Sequence, residues 1–343
     1  MAILIVTRSR DNEAPAAVTR ALEARGERVY RFDTDLFPTE LQLSLDEAGR
    51  GRLSGPEGEV ALEEFSAVWY RRCAIAERIP RDLDSQLRQP AVEESRRVVF
   101  GMMAALGVFQ LDALEHVRRS EHKPLQLKLA RQLGMEVPRT LMTNDPEAVR
   151  AFAASCPSGV VTKMMASFAV YDEQGLEQVV FTTPLGAREL KDLDGLDLCP
   201  MTFQEHVTKA VELRVTVVGT QVMAAAIDSQ ALPGARNDWR REGLALIRSW
   251  QPYTLPESLR LQVLGMMDAL GLNYGAFDFI VTPQGRHVFL EVNPSGEFMW
   301  LVQHPGLPVD EALADVLAGR AARRLGPRPL PRSEPALRLA TSP

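Results

Sequence analysis

The residues with the most chemical promise lie late in the chain, in "YGAFDFIVTPQGRHVFLEVNPSGEF". Its two aromatic and β-branched runs, "FDFIV" and "HVFLEV", flank Pro283-Gln284-Gly285-Arg286 and read as a β-hairpin. Pairing Thr282 with His287 sets Asp278 opposite Glu291, and side-chain alternation puts Asn293 on the face of Glu291. Carboxylates directly opposite on a sheet repel one another. A divalent cation removes that repulsion. An all-oxygen set of this kind suits Mg²⁺, which takes one or two carboxylates and completes its shell with water and phosphate oxygens. The alternative is a solvated acidic face on an edge hairpin; the aromatic residues around both acids favour the metal.

Cations lie upstream in positions that match. Lys163 ends the apolar run "GVVTK". Lys123 falls in the first turn of the helical stretch "SEHKPLQLKLARQLG", where the helix dipole disfavours a positive charge, so a charged partner is implied. Two lysines converging on an acidic hairpin would suit a nucleotide polyphosphate and its metal. In "FQEHVTKAVELRVTVVG", Phe203 to Val207 is a short extended link. Glu212 and Arg214 then share one strand face while Val211, Leu213, Val215 and Val217 take the other. The polar pair is either a surface ion pair or points into a cleft. "ARNDWRRE" gathers Arg236, Arg240 and Arg241 around Trp239, as a solvated loop or a clamp for phosphate or carboxylate. "NPSGEF" is a turn able to bring backbone amides to an anion.

The elements that must position these groups begin with an α/β unit. "AILIVT" reads as a buried strand, "DNEAPAAVTRALEARG" as an amphipathic helix capped by Asp11 or Asn12 and stopped at Gly26, and "VYRFD" as a second strand. "LQLSLDE" and "GEVALEEF" bracket the turn-rich "AGRGRLSGPEG" as a hairpin; "SAVWYRR" is a strand ending in Arg71 and Arg72; "AVEESRRVVFGMMAALGVF" is a helix with its methionines in the core. A second unit starts near Leu111. Ser120 caps its first helix, with Leu125, Leu129 and Leu133 on one stripe and Gly134 as the stop. Strands "VPRTLMT" and "GVVTKMM" alternate with the helix "DPEAVRAFAAS"; "ELRVTVVGTQVMAAAIDSQ" is two strands turning at Gly219-Thr220, and a helix near "LPESLRLQVLGMMDALG" precedes the hairpin. The tail rich in Pro and Arg reads as disordered.

Bulk properties narrow the function. A chain of 343 residues with 45% hydrophobic and 24% charged residues can bury two or three cores. A net charge of -6 without a basic stripe speaks against nucleic acid, and no apolar run is long enough to span a bilayer. The apolar core of "MAILIVTRSR" is too short for a signal peptide and its charges follow rather than precede it. Cys73, Cys156 and Cys199 show no paired spacing, which fits a reducing cytoplasm rather than a disulfide framework or zinc site.

In order along the chain these are a helix-start Lys, a strand-end Lys, a Q-E hinge, E-x-R, an Asp and E-x-N. That order resembles the ATP-grasp ligases, over residues 1 to about 324. The local features "VWYRR", "HKPLQLKLARQLGMEVPRTLMTNDP", "KMMASFAVYDEQGLEQVVFTT", "FQEHVTKAVELRVTVVG", "AIDSQ" with "NDWRR", and "DFIVTPQGRHVFLEVNPSGEFMWL" look most like the peptide-maturing branch, the graspetide or microviridin-type macrocyclases. The resemblance implies an α/β and α+β protein. An α/β pre-ATP-grasp domain (1–110) would precede an ATP-grasp fold of two α+β lobes (111–204 and 205–324), followed by a tail (325–343).

It further implies that Lys123 and Lys163 contact ATP phosphates. The Gln204-Glu205-His206-Val207 hinge would bind adenine and Glu212 the ribose; Asp278, Glu291 and Asn293 would ligate Mg²⁺; and Arg214 and Arg240 would stabilise the transferred phosphoryl or acyl phosphate. The implied partner is a ribosomal precursor peptide, leader plus core, acting with a homodimeric enzyme. Its Asp or Glu side chains would be activated as acyl phosphates and joined to Thr or Ser hydroxyls or a Lys amine. Arg71 or Arg72 would read the core carboxylate, and the acidic loop with Asp192, Asp194 and Asp197 would dock a basic or amphipathic leader. The loop "MMASFAVYDEQG" lacks the Gly-rich pattern common elsewhere in the superfamily. The rival readings are a carboxylate-amine ligase that adds amino acids to a peptide or protein terminus, and a non-catalytic ATP-binding module. The presence of both lysines and all three metal ligands speaks against the last.

Overall fold

The computed structural model describes residues 1–164, 169–171, 177–179, 182–232, 243–328 and 330. The strand Ala2–Thr7 is buried at every position. It lies between the parallel strands Arg28–Asp33 and Phe65–Tyr70, with Phe109–Leu111 added outside the latter. Alternation divides its side chains between two cores. Ala2, Leu4 and Val6 face the long helix Ser85–Ala105 and a small sheet, while Ile3 and Ile5 face the helices Ala14–Glu23 and Val309–Leu317. Met102 and Met103 are core residues, as their spacing implies.

Three local expectations for this unit are corrected. The hairpin is a three-stranded meander, Gln42–Leu45, Gly51–Gly55 and Gly58–Ala61, because the turn-rich segment contributes the middle strand. Its Leu53, 1% exposed and paired with both Leu43 and Val60, supplies the apolar contact that its neighbours lack. The first helix is capped at Glu13 without a side-chain bond. Asn12 Oδ1 accepts the Ala14 amide, and the Asp11 carboxylate accepts from Thr7 Oγ1. The long helix starts at Ser85, earlier than its apolar period, because Asp84 accepts from the Gln86 amide and caps it.

The middle of the chain forms helices Leu114–Ser120 and Lys123–Gln132 and a four-stranded antiparallel sheet. The sheet order is Thr183–Pro184, Val160–Lys163, Met201–Glu205, Thr140–Thr143, so the segment at Phe203 is an inner strand rather than a link. Helix Pro146–Ala154, capped by Asp145, closes a core of Val149, Cys156, Val160, Leu196 and Phe203. Ser120 does not cap the helix after it; its hydroxyl donates to the His116 carbonyl, and His122 is the cap residue. Gly134, at φ +81°, ends that helix as expected.

The C-terminal sheet is antiparallel throughout, in the order Gln251–Pro252, Gln221–Ile227, Val211–Val218, Tyr274–Val281, His287–Asn293. Helices Lys123–Gln132 and Glu257–Leu270 cover one face through Leu129, Ala130, Val263, Met266 and Met267 against Leu213, Val215, Phe277, Phe279 and Phe289. Glu212, Arg214, Asp278 and Glu291 are left for the opposite face. The hairpin pairs Val281, not Thr282, with His287. A bulge then restores the alignment: Phe279 pairs with Phe289 and Asp278 with Glu291, which leaves Leu290 as the extra residue.

Candidate active site

Asp278 faces Glu291 on one side and Arg214 on the other, each in direct register. Arg214 Nη1 donates to Asp278 Oδ1 at 2.8 Å, and the same guanidinium stands 5.9 Å from the centre of the Trp300 ring. Lys123 pairs with the Glu291 carboxylate, which is the partner its place in the helix dipole implies. Asn293 Nδ2 donates to Glu291 Oε1 at 3.2 Å and to Asp278 Oδ2 at 3.4 Å. Burial acts to raise the Glu291 carboxyl, but Lys123 and then Lys163 outweigh it and hold the group below its ordinary value. Lys163, paired through its backbone with Thr202, therefore brings the end of the middle sheet toward this acid.

Among the described residues no group of three His, Cys, Asp or Glu side chains is placed to hold a metal. Two carboxylates beside an amide oxygen are instead the open donor set that Mg²⁺ shares with water and phosphate. With a cation between the acids, Asn293 would present its oxygen after a half-turn of the amide.

Gln126, a residue that motif reading passes over, organises this corner. It is 1% exposed, donates to the carbonyls of Ser120 (2.6 Å) and Val292 (2.8 Å), and accepts the Val292 amide (3.0 Å). It thus acts as one residue of a neighbouring strand toward Val292, the residue between Glu291 and Asn293, and sits one turn after Lys123. A sequence signal was present: Gln126 occupies the first place of an i, i+3, i+4, i+7 row completed by Leu129, Ala130 and Leu133.

On the hinge side, Gln204 is 4% exposed and donates to Thr140 Oγ1, within its own sheet. The amides of Glu205 and His206 donate to Arg139 O and Gly159 O. Among the described residues no hydrogen bond uses the Val207 amide. Glu212 accepts from Lys209 Nζ at 2.7 Å.

Arg71 and Arg72 leave the end of the strand Phe65–Tyr70 and meet Glu297 in the "NPSGEF" turn. Asp112, also unremarked in the sequence, accepts from Asn273 N (2.8 Å), Asn273 Nδ2 (3.0 Å) and Tyr274 N (2.9 Å), tying the first sheet to the C-terminal one. Asp192 and Asp194 are exposed, just after the helix Ala187–Lys191. Arg240, with Arg236, Trp239 and Arg241, most of the loop after Lys163, and all of the tail beyond Leu330 lie outside the described residues.

Two α+β lobes that bring a helix-start lysine and a strand-end lysine to an acidic hairpin, behind a parallel α/β domain, define an ATP-grasp ligase with its pre-ATP-grasp domain. The MvdD pre-ATP grasp domain family matches residues 2–118. The macrocyclase MdnC from Microcystis aeruginosa MRC, solved bound with precursor peptide MdnA, is 45% identical, with TM-score 0.85 over 93% of this chain and 100% of that one. A RiPP-associated ATP-grasp ligase from Chryseobacterium gregarium, in complex with ADP and a leader and core peptide, is 37% identical, with TM-score 0.90 over 96% of this chain and 100% of that one. The ATP-grasp ligase PsnB, complexed with a phosphomimetic variant of minimal precursor, Mg and ADP, is 26% identical, with TM-score 0.73 over 93% of this chain and 99% of that one. No curated protein sequence matches the chain. The chain belongs to the RiPP-associated ATP-grasp ligases, the graspetide synthetase family of enzymes that mature ribosomally made peptides. Among the described residues no helix is long and apolar enough to cross a membrane.

Proposed function

We propose that this enzyme closes rings in a ribosomal precursor peptide. ATP would activate an Asp or Glu side chain of the core as an acyl phosphate; a Thr or Ser hydroxyl, or a Lys amine, would then displace phosphate and form the ester or amide. The observation that carries this reading is the facing pair Asp278 and Glu291, flanked by Arg214 and Lys123, in a chain of ATP-grasp fold.

Asp278, Glu291 and Asn293 would hold Mg²⁺, which supplies charge neutralisation to phosphate oxygens. Lys123 and Lys163 would bind the nucleotide phosphates, the Val207 amide in the Gln204–Val207 hinge would orient adenine, and Glu212 would accept the ribose hydroxyls. Arg214, stacked on Trp300, and Arg240 would stabilise negative charge gathering on the transferred group. Arg71 and Arg72 would receive the core carboxylate, and the exposed Asp192 and Asp194 would dock the leader. A homodimer in a reducing cytoplasm completes the reading, in keeping with the free cysteines Cys73, Cys156 and Cys199.

The test is the intact mass of a candidate precursor with repeated Thr and Asp or Glu, incubated with enzyme, ATP and Mg²⁺. The reading predicts ATP-dependent loss of one water per ring, and mild base then separates esters from amides. Gain of amino-acid mass when free amino acids are present would replace it with a terminus-extending ligase.

A further inference from the structure

Glu297 follows closely on Asn293, yet its carboxylate is engaged with the first domain. It pairs with Arg72, lies 2.7 Å from Arg71 Nη2 and accepts from Asn12 Nδ2. These partners sit at the carboxyl ends of the parallel strands Ala2–Thr7 and Phe65–Tyr70. The chain runs from the first of these strands to Arg28–Asp33 on one side and then to Phe65–Tyr70 on the other. That reversal is the point where open parallel sheets leave a crevice for a ligand. The side chain of Arg72 is 32% exposed and gives solvent access, whereas that of Arg71 is 2% exposed. Arg71 Nε has no hydrogen-bond acceptor among the described residues, and Asp11 Oδ2 stands 3.9 Å from it. The arginine pair thus keeps a donor that Glu297 leaves unused.

The turn itself is pinned independently of Glu297. Tyr274 Oη donates to Gly296 O at 2.6 Å, and Arg71 Nη1 donates to Ser295 O at 3.2 Å. A Cβ on Gly296 would stand 2.6 Å from Ala276 Cβ, so the turn lies flat on the strand Tyr274–Val281. Only the Glu297 side chain has to move to vacate the arginines.

We infer that Glu297 is an internal stand-in for the substrate: Arg71, Arg72 and Asn12 form a carboxylate subsite that Glu297 fills until an Asp or Glu side chain of the peptide displaces it. The inference rests on the peptide-ligase reading above and adds a basis for selectivity. Exchanging one carboxylate for another keeps the charges matched. An Asn or Gln in its place would leave two guanidiniums with Asp11 as their one acidic neighbour among the described residues, so the subsite favours carboxylates over amides.

The test uses N-acetyl-glutamate α-amide, which carries only a side-chain carboxylate, with full-length enzyme, ADP and Mg²⁺, read by calorimetry. Removing an internal competitor that fills the subsite most of the time should tighten probe binding by about tenfold in Glu297→Gln. Asn12→Ala, which removes a donor shared by Glu297 and the probe, should change probe binding less than Glu297→Gln does. Adding Arg72→Ala to Glu297→Gln should abolish the gain, and N-acetyl-glutamine amide should not respond to any of these changes. Equal binding by wild type and Glu297→Gln would overturn the stand-in while leaving the arginine subsite. Binding by neither would overturn both. Tighter binding in Glu297→Gln, from a wild type that forms no rings, would leave the subsite and refute the macrocyclase reading.

Discussion

Asp112 and Glu291 are both carboxylates withdrawn from water, and they have opposite acidities. Asp112, 3% exposed, accepts three N–H hydrogen bonds, yet burial pushes its carboxyl up to about 6. Glu291, with a quarter of its side chain exposed, is also raised by burial, but Lys123 in contact and Lys163 nearby hold it down. Neutral donors satisfy a buried acid, whereas only full positive charge keeps it ionised at low pH. The difference separates a joint from a working site. Asp112 fastens two sheets, and its charge is incidental. On the proposed reading Glu291 presents a negative charge to a cation, and the fold supplies lysines from two other elements to maintain it.

The comparison can be broken first at the working site. Glu291→Gln combined with Asp278→Asn should lower turnover by about 10³-fold or more while leaving the fold intact, as steady-state phosphate release would show. Lys123→Met should turn Glu291 into a buried acid without its main counter-charge. A loss of about 3–5 kcal/mol in urea unfolding, along with weaker ATP binding, is expected.

At the joint, the sign follows from the raised carboxyl. The folded state keeps its proton up to about pH 6, whereas the unfolded chain releases it near 3.8. Asp112 therefore makes stability fall as pH rises across that window and contributes a constant cost above it, on the order of 3 kcal/mol. Asp112→Asn should remove that slope, and unfolding midpoints at several pH values would reveal it. Gln126→Leu probes the support beneath Glu291 and Asn293; leaving the Val292 amide and carbonyl unpaired should cost about 2 kcal/mol and raise the Mg²⁺ concentration needed for half-maximal activity.

The acidic hairpin was legible because strand alternation is local, although its register was reached through two departures that cancel. The loop pairing is displaced by one residue, and the bulge at Leu290 displaces it back. Lys123 was legible through a rule it violates, a cation at the positive end of a helix. The middle strand of the meander was not, since "GRLSG" has a single large apolar residue and owes its conformation to Leu43 and Val60 across the sheet. Gln126, Asp112 and Glu297 escaped for a common reason. Each is a polar residue whose partner lies far along the chain, such as Val292 for Gln126 and Asn273 for Asp112; the apolar row of Gln126 signals its burial, but no local pattern announces the contact itself.

The central claim is that this site activates a peptide carboxylate with ATP. The most direct measurement supplies a precursor whose Asp and Glu side-chain carboxylates carry ¹⁸O and follows the label during ring closure. Activation as an acyl phosphate predicts that each ring formed releases one inorganic phosphate bearing one ¹⁸O from the peptide. Ring formation with unlabelled phosphate would contradict the account.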